Sequence, residues 1–213
     1  MPLPPGLLPV GELGKHVQMK GTFSTYDMGK PPQDTSSGLS MLKNQYTPLE
    51  WNEFFDQLDM IDGVVPLFKA GNNGHLFVCL HGAGHSALSF AALAEKLKNN
   101  CIVYAFDFRG HGKHFCENET DLSQDTLIAD TIKILTHVNK LHPQASINFI
   151  GHSMGGSIAT KTAAKIQNEM KDSPLFEALL TLFVIDVVEG TALEALPFME
   201  SIVNNRPTHF SDL

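Results

Sequence analysis

From His75 onward, short apolar runs alternate with polar or glycine-rich loops and with longer stretches whose apolar positions recur every three to four residues. His75-Leu76-Phe77-Val78-Cys79-Leu80 stops at His81-Gly82-Ala83-Gly84, and Ile102-Val103-Tyr104-Ala105-Phe106 stops at Asp107-Phe108-Arg109-Gly110-His111-Gly112. Ile147-Asn148-Phe149-Ile150 stops at Gly151-His152-Ser153-Met154-Gly155-Gly156, and the run from Leu179 to Ile185 stops at Asp186. These runs predict strands. Between them, Leu88, Ala91, Ala92, Leu93 and Leu97 predict one helix. Leu127, Ile128, Ile132, Leu135 and Val138 predict a second, from about Ser123 to Leu141, which Pro143 ends. A third runs from the Gly155-Gly156 turn to about Met170. Strands apolar at consecutive positions are those of a parallel sheet covered by helices. The pattern therefore predicts an α/β fold, a mostly parallel sheet with helices on both faces. Chemistry in such sheets gathers at the carboxyl ends of the strands, where each of these loops falls.

The stretch before His75 reads differently. Residues 1 to about 46 are rich in Pro, Gly, Ser and Gln and hold no apolar period, so a disordered or loosely attached tail is expected there. The folded domain is expected over 47–213. At its start Trp51, Phe54, Phe55 and Leu58 recur at helical spacing, which predicts a short amphipathic segment docked on the domain. No internal repeat appears beyond the strand–helix alternation.

Composition narrows the partners. The 213 residues carry a net charge of −8 with no basic run, a poor match to nucleic acid or to an anionic membrane surface. The longest apolar stretch, Ala178 to Val188, is interrupted by Thr181 and Asp186 and is too short to span a bilayer. Met1-Pro2-Leu3-Pro4-Pro5 lacks the basic start of a signal peptide. Cys79, Cys101 and Cys116 form no CxxC pair, and the first two sit in apolar runs, as reduced core cysteines of an intracellular protein do.

The strongest chemical signal is Gly151-His152-Ser153-Met154-Gly155, a G-x-S-x-G between a strand and a helix. In that context the turn is tight and strained, and it lifts the serine Oγ above the sheet as a nucleophile. It also sets the Met154 N–H where an oxyanion would form. A second oxyanion N–H is expected from the His81-Gly82-Ala83-Gly84 loop, because esterases use an H-G-x-G loop for that purpose. Two rivals exist for this loop. Gly82-Ala83-Gly84-His85-Ser86-Ala87 also fits a dinucleotide fingerprint, with Asp107 about twenty residues on as the ribose carboxylate. His81 and His85 also stand four apart, but on a loop with no helical Glu between them they make a poor metal pair. Asp107 and Arg109 are expected to pair and brace the loops beside the site.

A serine nucleophile needs a base, and the base needs an orienting acid. On this kind of sheet the chain order is Ser, acid, His. Only Asp186 directly ends an apolar strand after Ser153, so it is the expected acid. Only His209 follows it, and His209 follows no further strand. The strand ending at Asp186 is expected at a sheet edge. The chain is expected to be the N-terminal part of a longer domain whose last strands it lacks. The chemistry itself requires no metal and no cofactor.

Three segments taken together resemble one family: Leu80-His81-Gly82-Ala83-Gly84-His85-Ser86-Ala87-Leu88-Ser89-Phe90, Gly151 to Gly156, and Ile185-Asp186-Val187-Val188-Glu189-Gly190-Thr191-Ala192. They are similar to the protein phosphatase methylesterases, α/β-hydrolases that remove the methyl ester from the C-terminal leucine of the type-2A protein phosphatase catalytic subunit. Trp51-Asn52-Glu53-Phe54-Phe55 and Asn205-Arg206-Pro207 share the likeness, which covers about residues 46–213. The resemblance implies Ser153 as nucleophile, Asp186 as triad acid, and Gly82, Ala83 and Met154 around the oxyanion hole. It implies the type-2A phosphatase catalytic subunit as partner, through its C-terminal tail and active-site face, and a setting in the cytoplasm or nucleus. The family's histidine lies far downstream, and His209 does not align with it. A short form that binds the phosphatase without catalysis is the main alternative; a nicotinamide-dependent oxidoreductase is a remote one.

Overall fold

The computed structural model describes residues 49–186 and, beyond them, Glu194, Pro197, Phe198, Ser201 and Asn205. The chain divides between Gln45 and Tyr46. The tail expected over residues 1–46 lies outside the described residues.

Six strands form one sheet: β1 (Gln57–Ile61), β2 (Val65–Ala70), β3 (His75–Leu80), β4 (Cys101–Phe106), β5 (Ile147–His152) and β6 (Leu179–Ile185). Their order is β1-β2-β4-β3-β5-β6. The four strands expected from sequence, β3 to β6, are mutually parallel, and β1 and β2 extend the sheet antiparallel beside β4. The helices are α1 (Ala91–Leu97), α2 (Gln124–Leu141), α3 (Met154–Glu169) and a short α4 (Pro174–Ala178). The fold is α/β, as the apolar pattern implied. Register aligns the strand ends: Leu80 faces Phe106 on one side and Gly151 on the other, and His152 faces Ile185. The next residues, His81, Asp107, Ser153 and Asp186, therefore emerge along one rim of the sheet.

Two cores lie on the two faces. On one, Val78, Leu80, Tyr104, Phe106 and Phe149 of the sheet pack against α2 and α3. The buried positions of α2 are Leu127, Ile128, Thr131, Ile134, Leu135 and Val138, spaced as one stripe. Each large aliphatic in that stripe contributes roughly 1.5–3 kcal/mol through burial. On the other face, Phe55, Phe68, Cys79, Val103, Ala105 and Ile150 pack under α1 and the 3-10 turn Ala87–Phe90 that precedes it. Cys79 and Cys101 are buried and free, and burial pushes the Cys79 thiol pKa up, so it is an inert core group.

The segment around Trp51 differs from expectation. Only Trp51–Glu53 is helical, a single 3-10 turn closed by the Glu50 N–H on the Glu53 carboxylate (2.8 Å). The chain then extends, because Asp56 N–H donates to the Lys69 carbonyl (2.8 Å) and opens the β1–β2 ladder. Docking itself occurs: Phe55 is fully buried, and Trp51 and Phe55 pack on Phe68 with ring centroids 5.9 and 5.3 Å apart. The β1–β2 hairpin was not foreseen. Its signal was the Asp62-Gly63 pair, which sits at φ 50° and 75° and turns the chain between Ile61 and Val65.

At the far end of the described sheet, β6 is an edge strand among the described residues. Its Leu180, Phe183, Val184 and Ile185 stay between 45% and 66% exposed. No helix among the described residues is long and apolar enough to cross a membrane.

Candidate active site

Ser153 sits between β5 and α3 with φ 52° and ψ −119°. A residue with a Cβ is rarely held there, and such strain marks sites where the surrounding structure enforces it. The enforcement is visible. Ser153 N–H donates to the Ile185 carbonyl of β6 (2.9 Å), and the Ser153 carbonyl accepts from Gly156 and Ser157 of α3 (2.9 and 3.2 Å). The turn is also packed too tightly for side chains at its flanks. A Cβ at Gly155 would collide with the backbone carbonyl of Leu80. The Met154 N–H opens α3 and meets no acceptor among the described residues. At a helix N-terminus such groups are free and carry the positive end of the dipole, which suits a developing oxyanion.

The Gly82 loop lies directly against this turn. A Cβ built at Gly82 would stand 2.9 Å from His152 Nδ1 and 3.2 Å from Ser153 Cβ, so only glycine permits the approach. The Gly82 carbonyl accepts from His85 N–H (3.1 Å) and is bonded to His81 Nδ1 (2.8 Å). His81 is fully buried, and its Nε2 accepts the Phe108 N–H (3.0 Å). That acceptor role puts the ring proton on Nδ1, which donates to Gly82. Burial lowers the His81 pKa to about 4; His111 and His85 push the same way, while the Gly82 bond and Asp107 oppose. The ring is therefore neutral near pH 7.

Asp107 braces the same loop from the next strand. It is 2% exposed, and its carboxylate accepts from Ala87 N–H (2.7 Å) and Lys113 N–H (2.8 Å). Its carbonyl is bonded to His114 Nδ1 (3.0 Å). The expected Asp107–Arg109 pair is not formed. Arg109 instead makes a bidentate pair with Asp130 of α2 (2.6 and 2.9 Å) and reaches the Asn118 carbonyl (3.2 Å). The reason is geometric: Asp107 points back to one backbone amide after β3 and one after β4, while Arg109 faces α2. The dinucleotide reading loses its ribose carboxylate here, since both Asp107 oxygens are occupied. His81 and His85 form no metal cluster with other ligands among the described residues.

Asp186 ends β6 at φ 54°, and its carboxylate stands 3.9 Å from His152 Nε2. The His152 ring stacks on His85, with centroids 5.3 Å apart at 29°. The structure thus gathers Ser153, Asp186, Gly82 and Met154 on one rim, with Ala83 exposed beside Gly82. No histidine among the described residues bonds the Ser153 hydroxyl. His209 and residues 187–192 of the Asp186 segment lie outside the described residues. A cleft of about 500 Å³ beside Tyr104 and His142 is remote from this chemistry. There the Tyr104 hydroxyl bonds His142 Nε2 (2.9 Å), and burial pushes the tyrosine pKa up to about 12. The brace role of His81 was missed in sequence, and that of Asp107 was expected through Arg109 rather than through Ala87 and Lys113, because both depend on which loop amides the sheet register brings near them.

A parallel sheet with a strained serine at the β5–α3 turn and free amides beside it defines an α/β-hydrolase. A family model described as serine aminopeptidase, S33, matches residues 71–181. Among solved structures, a marine microorganism esterase superposes with a TM-score of 0.51 at 23% identity, covering 68% of this chain and 52% of its own. That likeness concerns the fold alone. Protein phosphatase methylesterase 1 of Mus musculus is 35% identical over 181 residues, covering 80% of this chain and 44% of the relative. The protein of that name from Schizosaccharomyces pombe is 36% identical over 195 residues, covering 85% and 55%. The chain belongs to the protein phosphatase methylesterase family, within the α/β-hydrolases. It spans about half the length of the curated relatives it matches.

Proposed function

We propose that this chain carries the nucleophile-bearing part of a serine methylesterase. Its substrate is the C-terminal leucine methyl ester of the type-2A protein phosphatase catalytic subunit. The observation that supports the reading most is the backbone of Ser153, held at φ 52° between β5 and α3 with the glycine loop pressed against it. The relatives' names supply the substrate class.

In this reading Ser153 Oγ attacks the ester carbonyl while a base takes its proton. The carbonyl oxygen becomes an oxyanion held by the Met154 N–H and by the Ala83 N–H beside Gly82. The intermediate collapses with loss of methanol, which takes a proton from the base. Water then attacks the acyl-serine and frees the leucine carboxylate. Asp186 orients the base. The base is the histidine that the family carries far downstream. No metal or cofactor enters any step. The partner is the phosphatase catalytic subunit, engaged through its C-terminal tail and active-site face. The setting is intracellular, in cytoplasm or nucleus.

A binding-only form is the second reading, favoured by the absence of a histidine bonded to Ser153 among the described residues. The test is hydrolysis of the methylated phosphatase subunit by the protein isolated from its source, beside its Ser153→Ala variant. Ester loss that the variant abolishes supports the esterase. Retention on immobilised phosphatase without ester loss supports the binding form.

A further inference from the structure

A trans peptide unit points its carbonyl and its N–H in opposite directions. No cis bond occurs among the described residues. Whatever holds the Gly82 carbonyl therefore sets the direction of the Ala83 N–H. That carbonyl is held twice: by the His85 N–H (3.1 Å) and by His81 Nδ1 (2.8 Å). The Ala83 N–H has no acceptor among the described residues. His81 is in turn anchored by the Phe108 N–H on its Nε2 (3.0 Å), and its ring packs edge-on against Phe108 with centroids 5.0 Å apart. It is fully buried, so water competes for neither bond. The loop after β3 is thereby latched to the loop after β4 through one imidazole.

We propose that His81 is a positioning residue for the oxyanion site. Its ring donates from Nδ1 to the Gly82 carbonyl and accepts the Phe108 N–H at Nε2. This fixes the Gly82–Ala83 peptide in the orientation that leaves the Ala83 N–H free for an anion. The inference rests on the esterase reading above and deepens it. It assigns His81 a task distinct from proton transfer: the ring touches backbone on both nitrogens and has none left for Ser153. Only the neutral Nδ1–H form does this. A protonated ring would aim Nε2–H at the Phe108 N–H, donor against donor. The charged or titratable groups facing the ring are Asp107, His111 and His85; burial, with His111 and His85 on its side, outweighs Asp107 and the Gly82 bond and keeps the ring neutral.

Two measurements test this on the protein isolated from its source and its variants. The first is ¹⁵N NMR of the imidazole at pH 7, with the coupling across the hydrogen bond from His81 Nδ1 to the Gly82 carbonyl. A neutral ring protonated on Nδ1 with a detectable coupling is expected. A ring protonated on Nε2, or charged, overturns the proposal. The second is ester hydrolysis by His81→Phe and His81→Asn. Phenylalanine keeps the packing and loses the latch, so kcat falls by about 10²–10³, the loss seen when one oxyanion donor is removed. KM stays within about threefold, since uniform binding is untouched. Asparagine can still donate to Gly82 and recovers at least tenfold of that loss. An unchanged kcat in a folded His81→Phe protein overturns the proposal, as does a loss carried by KM alone. Should His81→Phe not fold, His81→Asn and the NMR measurement decide. A wild type that leaves the methyl ester intact defeats the esterase reading, while the ring measurement still decides whether His81 holds the peptide.

Discussion

Replacing Asp107 tests how the rim is held together. Its carboxylate accepts two backbone amides, Ala87 N–H at 2.7 Å and Lys113 N–H at 2.8 Å. Ala87 is fully buried, whereas Lys113 is exposed, so only Lys113 can find water once the carboxylate is gone. In Asp107→Ala the Ala87 N–H is left unpaired, at about 1–3 kcal/mol, and the charge-assisted bond to Lys113 is lost as well, at about 1 kcal/mol after water replaces it. The total is about 3 kcal/mol. Asp107→Asn keeps one acceptor for Ala87 and turns an amide N–H₂ toward Lys113, so its cost is about 1–2 kcal/mol. The assay is urea unfolding followed by Trp51, the single tryptophan, which packs on Phe68. With a slope of about 2 kcal/mol/M, Asp107→Ala lowers the midpoint by about 1.5 M and Asp107→Asn by about 0.5–1 M. Hydrogen exchange at Ala87 accelerates in the alanine variant. A loss below about 1 kcal/mol in Asp107→Ala, or a larger loss in Asp107→Asn, refutes the bracing role.

Other outcomes follow from the same geometry. His81 has its pKa lowered from 6.5 to about 4, so the unfolded chain binds the proton first as pH falls. Its contribution is fully present above pH 6.5 and is lost between there and pH 4, by up to about 3 kcal/mol at 1.36 kcal/mol per unit; an unfolding midpoint that is flat over that window contradicts it. Gly155→Ala drives a Cβ into the Leu80 backbone and destabilises by about 2 kcal/mol or more, read as a fall in Tm. Leu135→Ala removes a buried side chain of the α2 stripe and costs about 2–5 kcal/mol by urea titration. Residues 1–213 expressed alone hydrolyse the methyl ester on the order of 10⁴- to 10⁶-fold more slowly than a relative with a complete triad; a rate near the relative's that is lost on Ser153→Ala contradicts that reading.

The parallel part of the fold was legible because each strand is a run of consecutive apolar residues closed by a polar or glycine loop. β3, β4, β5 and β6 appear within a residue or two of their expected bounds. Helix α2 was equally plain, its stripe unbroken except for Thr131. The β1–β2 hairpin was hidden by two features. The aromatic spacing of Trp51, Phe54, Phe55 and Leu58 imitates a helix, and Pro66 and Lys69 interrupt the second strand. Tertiary pairing with β4 outweighed that local pattern. At the rim, the serine turn was readable because G-x-S-x-G between strand and helix has a single steric solution. The partners of Asp107 and Arg109 were not. They stand two apart in sequence, yet one points to loop amides and the other to α2, and only the path of the loop after β4 decides that.

The most direct test of the central claim is removal of the methyl ester from the type-2A phosphatase catalytic subunit by the protein isolated from its source, compared with Ser153→Ala. The account predicts methanol release by the wild type and a loss of at least about 10⁴-fold in the variant. Undiminished release by Ser153→Ala, or none from the wild type, would contradict it.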